Sequence, residues 1–157
     1  MSDDLRAAHG ALLAAAETVA GGPTVAPPPG EWDAERVLAH VALVTGATLA
    51  TVAAVAAGAH ATYDNRIAHD PWTLDRVAGL AGGPAGLRER VRRHGEALEL
   101  AVRPLGAAEL ATPVPTRLLS HGQVLVDQAL PLGDIVTGLA DVELPGHTQQ
   151  LLALRAA

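Results

Sequence analysis

From Val37 to Ala59 the chain is apolar almost without interruption, broken only by His40, Thr45, Gly46, Thr48, Thr51 and Gly58. A run of that length is too long for one strand and contains no proline, so it reads as a helix buried on most of its faces. The rest of the chain must then supply the elements that bury it. A membrane span fits the length, but the alanine-rich, threonine-spotted composition suits the central helix of a soluble bundle better.

The side chains available to surround that helix narrow the choice further. The sequence has no Phe, one Tyr and two Trp, yet 49% of it is hydrophobic. The core is therefore alanine, leucine and valine, small or straight side chains that favour close helix packing over a β-sandwich. At 157 residues the chain is expected to be a single domain, 1–157. The absence of Cys excludes disulfides, a thiol nucleophile and thiolate metal ligands, and fits a reducing cytoplasm. All eleven basic residues are arginine, which excludes lysine Schiff-base chemistry and a Walker-type phosphate site. With a net charge of −6 and no basic stripe, binding to nucleic acid by phosphate neutralisation is not expected. Met1-Ser2-Asp3-Asp4 is acidic where a signal peptide would be basic, so a cytoplasmic location is the expectation.

Punctuation divides the chain into helices. Leu5, Leu12, Leu13 and Ala16 form a stripe on a first helix, from Asp3 or Asp4 to Ala20, ended by Gly21-Gly22-Pro23. The stretch 21–30 is too rich in proline and glycine for helix and reads as a linker. Asp33 is placed to cap the second helix, with Trp32 before it as a hydrophobic staple onto Val37, and that helix runs to about Gly58. Residues 60–71 form a polar loop. A short helix spans Trp72–Leu80, and Pro84 opens a third long helix reaching about Arg103. Its Arg88, Arg90, Arg92 and Arg93 alternate with glutamates as a solvated, salt-bridged face. Val114–Leu119 and Val124–Val126 read as a small β-hairpin with His121-Gly122 at its turn. The last helix begins between Pro131 and Asp134 and reaches about Arg155. The fold class is mainly all-α: a four-helix bundle with a small hairpin between the third and last long helices.

Two of these helices carry chemistry on their apolar stripes. His40 lies on the face of Val37 and Val44. On the last helix Val136, Ala140, Glu143, His147 and Leu151 share one face, which sets a carboxylate and an imidazole one turn apart and inward. A buried carboxylate needs a compensating partner. Two imidazoles and a carboxylate suit zinc, nickel, iron or manganese and leave positions open for water or substrate, as at a catalytic metal. Pro145-Gly146 interrupts this pattern, because an interior proline removes a hydrogen bond and clashes with the carbonyl of Asp141. Either the helix kinks, or it restarts at Pro145 and Asp141 becomes the acidic ligand instead of Glu143.

The remaining polar residues have weaker claims. His60, Tyr63 and Arg66, with Asn65 and His69, are placed to bind substrate or act as general acid or base at an open end of the bundle. Arg66 or Arg117 is the candidate carboxylate anchor. His9 reads as a partly exposed helical histidine, with approach to the metal as the alternative; His94 reads as solvent-facing, and His121 as a turn residue.

Trp32-Asp-Ala-Glu-Arg-Val-Leu-Ala-His40, the long third helix, the hairpin and Glu143-x-x-x-His147 together resemble the DinB-like superfamily, in particular the mycothiol-dependent maleylpyruvate isomerase N-terminal type. The resemblance runs over nearly the whole chain. It implies a DinB-like bundle with one divalent metal, commonly zinc, on His40, Glu143 and His147. It also implies thiol-linked isomerase or S-transferase chemistry on a small molecule, a low-molecular-weight thiol as cosubstrate, and a homodimer. The competing expectation is a non-catalytic helical binding or stress-related module without a functional metal.

Overall fold

The computed structural model describes residues 1–120 and 122–156. The chain is mainly helical, with a small three-stranded sheet. Helix α1 spans Ser2–Ala20, α2 Ala34–Ala56, α3 Pro71–Ala81, α4 Pro84–Val102 and α5 Ala107–Leu110; the last helical stretch is α6 Leu132–Gly138 followed by α7 Leu144–Ala153. Helix α2 packs on α4, α3 and α7, and α1 packs on α4 and α7, so α2 is enclosed as its composition requires. It is long and apolar enough to cross a membrane, and most of that stretch is buried within the molecule. Leu5, Leu12, Val37, Val41, Leu98 and Leu151, from four different helices, are fully buried at the centre.

The ends of these helices follow from local chemistry. Asp33 caps α2 by accepting the Arg36 N–H at 2.9 Å. Asp70 caps α3 through the N–H and hydroxyl of Thr73, with Pro71 in the first turn. Gly82 ends α3 in the left-handed conformation (φ 77°), which glycine adopts without strain. The linker after α1 is pinned rather than free. Val25 donates to the carbonyl of Leu154 and Ala156 to that of Pro23, tying it to the chain's far end.

Two helical histidines differ from the sequence expectation. His9 is buried, 5% exposed, because Gly95 of α4 has no side chain where the imidazole lies; a Cβ there would stand 2.9 Å from the ring. Its Nδ1 donates to the Leu5 carbonyl and its Nε2 meets Thr45 Oγ1 at 3.3 Å, so the ring is satisfied inside the core, and burial holds its pKa below the usual range. His94 is half-buried rather than solvent-facing. It leans over Gly46 and donates to the Ala42 carbonyl of α2 at 2.8 Å. The charged face of α4 is otherwise as expected, with Arg92 and Arg93 paired to Glu89 on the surface.

The hairpin is longer than its apolar pattern suggested: β2 Pro113–Ser120 pairs antiparallel with β3 Gln123–Pro131. His121, expected at the turn, lies outside the described residues; Gly122 has φ 75°. The polar loop also carries structure. Tyr63–Asp64 forms β1, parallel to β2, and a 3₁₀ turn follows over Arg66–His69. Asn65 fastens this turn to the hairpin, accepting the Leu119 N–H at 2.8 Å and donating to the Leu119 carbonyl at 3.0 Å. That clamp carries the 3₁₀ turn onto α2, beside His40.

The proline in the last helical stretch is accommodated by a widened turn at the junction of α6 and α7. Between α6 and α7 the residues Leu139–Glu143 widen into a π-helical turn, in which the Leu144 N–H bonds to the Leu139 carbonyl five residues back. The wider turn relieves the hydrogen bond and the clash that Pro145 would impose on a regular α-helix, and helix α7 proceeds with Pro145 in its first turn.

Candidate metal centre

His40 projects from α2 with 0% of its surface exposed. Its Nδ1 donates to the Ala68 carbonyl of the 3₁₀ turn at 2.8 Å, and its Nε2 lies 2.8 Å from Glu143 Oε1. His147, on the first turns of α7, repeats the arrangement. Nδ1 donates to Gln150 Oε1 at 2.8 Å, and Nε2 lies 3.4 Å from the same Glu143 oxygen. Gln150 is itself held, its amide donating to Glu31 at 2.8 Å. The tautomers follow from these partners: with Nδ1 committed as donor on both rings, both Nε2 atoms face Glu143. The two imidazoles, His147 first and His40 second, hold the Glu143 carboxyl far below its usual range despite its partial burial.

The carboxylate is held toward the two Nε2 atoms by what lies between them, a proton in the hydrogen-bonded arrangement or a metal ion in its place. The three donor atoms lie within 4.8 Å of one another. Two metal–ligand bonds of about 2.0–2.1 Å at a tetrahedral angle separate their donor atoms by roughly 3.3 Å. The 2.8 and 3.4 Å separations bracket that spacing, so His40, Glu143 and His147 form a group able to hold a metal ion. Asp141, the reserve ligand, is exposed, and its charge acts on the chain's amino terminus instead. The π-turn therefore leaves Glu143, and not Asp141, facing the imidazoles.

The triad lies at the base of a cleft of about 560 Å³. Trp32 forms one wall, its ring centroid 4.9 Å from that of His40 and stacked at 6.3 Å on His147. His69 forms another, 5.0 Å from His40, with Asn65 against its Nε2. Burial first, and then His40, lowers the His69 pKa. Leu119, Ser120 and Gly122 close the cleft from the hairpin end.

Of the loop residues expected to act on substrate, His69 lines the cleft, and the others are placed elsewhere. His60 is exposed on the loop after α2. Tyr63 is buried, 6% exposed, and burial raises its phenol pKa. Arg66 is paired with Asp64 on the outer surface, and Arg117 faces Asp127 across the hairpin. None of the four lines the cleft. Sequence reasoning missed Gln150 and Glu31 and took Trp32 only for a helix staple. Gln150 had a readable signal, since it follows His147 by three residues and shares its face. Glu31 and Trp32 precede a helix and have no periodicity to betray them. No protein-family model, curated protein or solved structure matches the chain.

Proposed function

We propose that the chain is a DinB-like four-helix bundle, built from α1, α2, α4 and the α6–α7 stretch, that binds one divalent metal on His40, Glu143 and His147 and uses it on a small molecule held in the cleft. The carrying observation is that both imidazoles spend Nδ1 on carbonyl oxygens and turn Nε2 toward one carboxylate oxygen. Zinc is the first choice for two nitrogens and one oxygen, ahead of nickel, iron and manganese. When bound, such a metal polarises an oxygen or acidifies a bound water or thiol. The chain's own residues do the rest. Ala68 and Gln150 fix the tautomers, Trp32 walls one side of the triad, and His69 lines the cleft beside it. Because the chain lacks Cys, a thiol reaching this site comes from a cosubstrate. The reading is thus a cytoplasmic, dimeric isomerase or thiol transferase.

Elemental mass spectrometry on purified protein tests this directly: about one transition-metal ion per chain, lost in both His40→Ala and His147→Ala. The competing reading, a non-catalytic binding module, draws on the 2.8 Å contact between His40 and Glu143, which closes the site upon itself with no ion. Trace metal only, together with melting unchanged by added zinc or nickel, decides for that module.

A further inference from the structure

The polar side chains of the cleft already have partners. His40, Glu143 and His147 face one another, Gln150 joins His147 to Glu31, and His69 meets Asn65. Ser120 is engaged as well. The rest of the described lining is apolar or has no side chain: Trp32, Leu119, Val142 and the glycines Gly30, Gly122 and Gly146. Trp32 packs against the three imidazoles, whereas Val142 is left 70% exposed.

Two of the glycines have a backbone reason to be glycine, with φ of 87° at Gly30 and 75° at Gly122. Gly146 has none. It lies within α7 in a right-handed helical conformation, where glycine is less stable than alanine. A Cβ there would meet no atom within 4 Å, so no neighbour requires its absence. The space that a side chain would occupy belongs to the cleft, four residues along the same helical stretch from Val142. An apolar group lying in that space would take water off Val142 and Leu119 as well as off itself. Ligand pockets are commonly built this way, with a few convergent polar groups and otherwise apolar walls.

We infer that the small molecule held here carries an uncharged hydrocarbon arm beside the group that reaches the triad, and that position 146 lacks a side chain so that the arm can lie against Val142 and Leu119. The placing of the head group rests on the metal reading; the arm rests on Gly146, Val142 and Leu119.

Acetohydroxamate and hexanohydroxamate share a metal-chelating head and differ in the arm, so the ratio of their affinities for zinc-loaded protein, measured by calorimetry, cancels the head's own affinity for the ion. A fully buried methylene is worth about fourfold, and hexanohydroxamate is expected to bind at least about tenfold more tightly. Gly146→Leu, which puts a side chain into the cleft and a better helix former into α7, is expected to shrink that ratio at least about fivefold. The same change at Gly10, a helical glycine of α1 that also faces open space but lies outside the cleft, is expected to leave the ratio as it was. Zinc content is measured in all three proteins. Gly146→Ala is expected to keep the melting temperature or raise it by up to about 4 °C. A lowered melting temperature shows that the fold itself needs the glycine and overturns the inference. A ratio near one, or a ratio untouched by Gly146→Leu, also overturns it and leaves the metal reading intact, because acetohydroxamate still reports the ion. If zinc does not load, the metal reading falls and the arm is tested by methyl NMR. Saturable shifts of the Val142 and Leu119 methyls with 1-hexanol, absent with ethanol and lost in Gly146→Leu, support the inference. No saturable shift with 1-hexanol overturns it.

Discussion

At the scale of single residues, the triad depends on groups outside it. His147 presents Nε2 because Gln150 takes its Nδ1 proton, and Gln150 does so because Glu31 orients its amide. Losing such a partner typically costs 10–100-fold in metal affinity. Gln150→Leu should therefore weaken zinc binding by about that factor, or roughly 1.4–2.7 kcal/mol, in a chelator-competition titration, with the fold retained by circular dichroism. Glu31→Gln should change zinc affinity far less, because its amide oxygen still accepts from Gln150. Equal affinities for Gln150→Leu and the unaltered protein would show that the α7 backbone alone orients His147. His40, Glu143 and His147 were legible because each falls on an apolar helical stripe where a polar side chain demands a reason. His60, Tyr63 and Arg66 were chosen because polar residues cluster in their loop. The loop contributes the His69 ring to the cleft wall and the Ala68 carbonyl to His40, and the second of these is a backbone atom that leaves no trace in residue type.

At the scale of elements, the π-turn over Leu139–Glu143 couples stability to the site. Proline in a regular helix interior costs about 3 kcal/mol, and the widened turn is a way to avoid that cost while keeping Glu143 turned toward His40. π-Turns of this kind concentrate at functional sites. Pro145→Ala restores an N–H donor and removes the steric reason for the widened turn. We expect it to weaken metal binding, since a regular α-turn moves Glu143 out of line, while unfolding stability in urea changes by less than about 1 kcal/mol because the widened turn already avoids the proline's cost. A variant that binds zinc with undiminished affinity would show that the widened turn answers to packing alone. The sequence marked the place of this conflict, Pro145 four residues after Asp141, but not its resolution. A kink, a restart and a widened turn all satisfy the same local constraint, so residue type alone does not choose among them.

At the scale of the whole molecule, the helices and the hairpin were legible, and the third strand of the sheet was not. The cap at Asp33 and the opening of α4 at Pro84 are local signals, read without reference to distant residues, whereas the Asp70 cap was passed over as part of a polar loop. The parallel pairing of Tyr63–Asp64 with Thr116–Arg117 joins segments distant in sequence, and two residues are too few for any alternation. Yet that pairing, with the Asn65 clamp, holds the 3₁₀ turn against His40 and so ties β1 and the hairpin to α2. Through Glu143 and His147 the same histidine is tied to the last helical stretch. A metal on the triad would join the same regions through α2 and the last helical stretch, and binding to the folded state alone stabilises it by mass action. At a free zinc concentration 100 times the dissociation constant the gain is about 2.7 kcal/mol. For a chain of this size each kcal/mol moves the melting temperature by about 2–4 °C. Zinc should therefore raise the melting temperature by about 5–10 °C in a calorimetric or fluorescence scan, with EDTA reversing the shift. His40→Ala removes one ligand and the anchor to the 3₁₀ turn, so it should melt lower than the unaltered protein and gain little on adding zinc. A shift of equal size in His40→Ala would place the stabilising ion somewhere other than this triad.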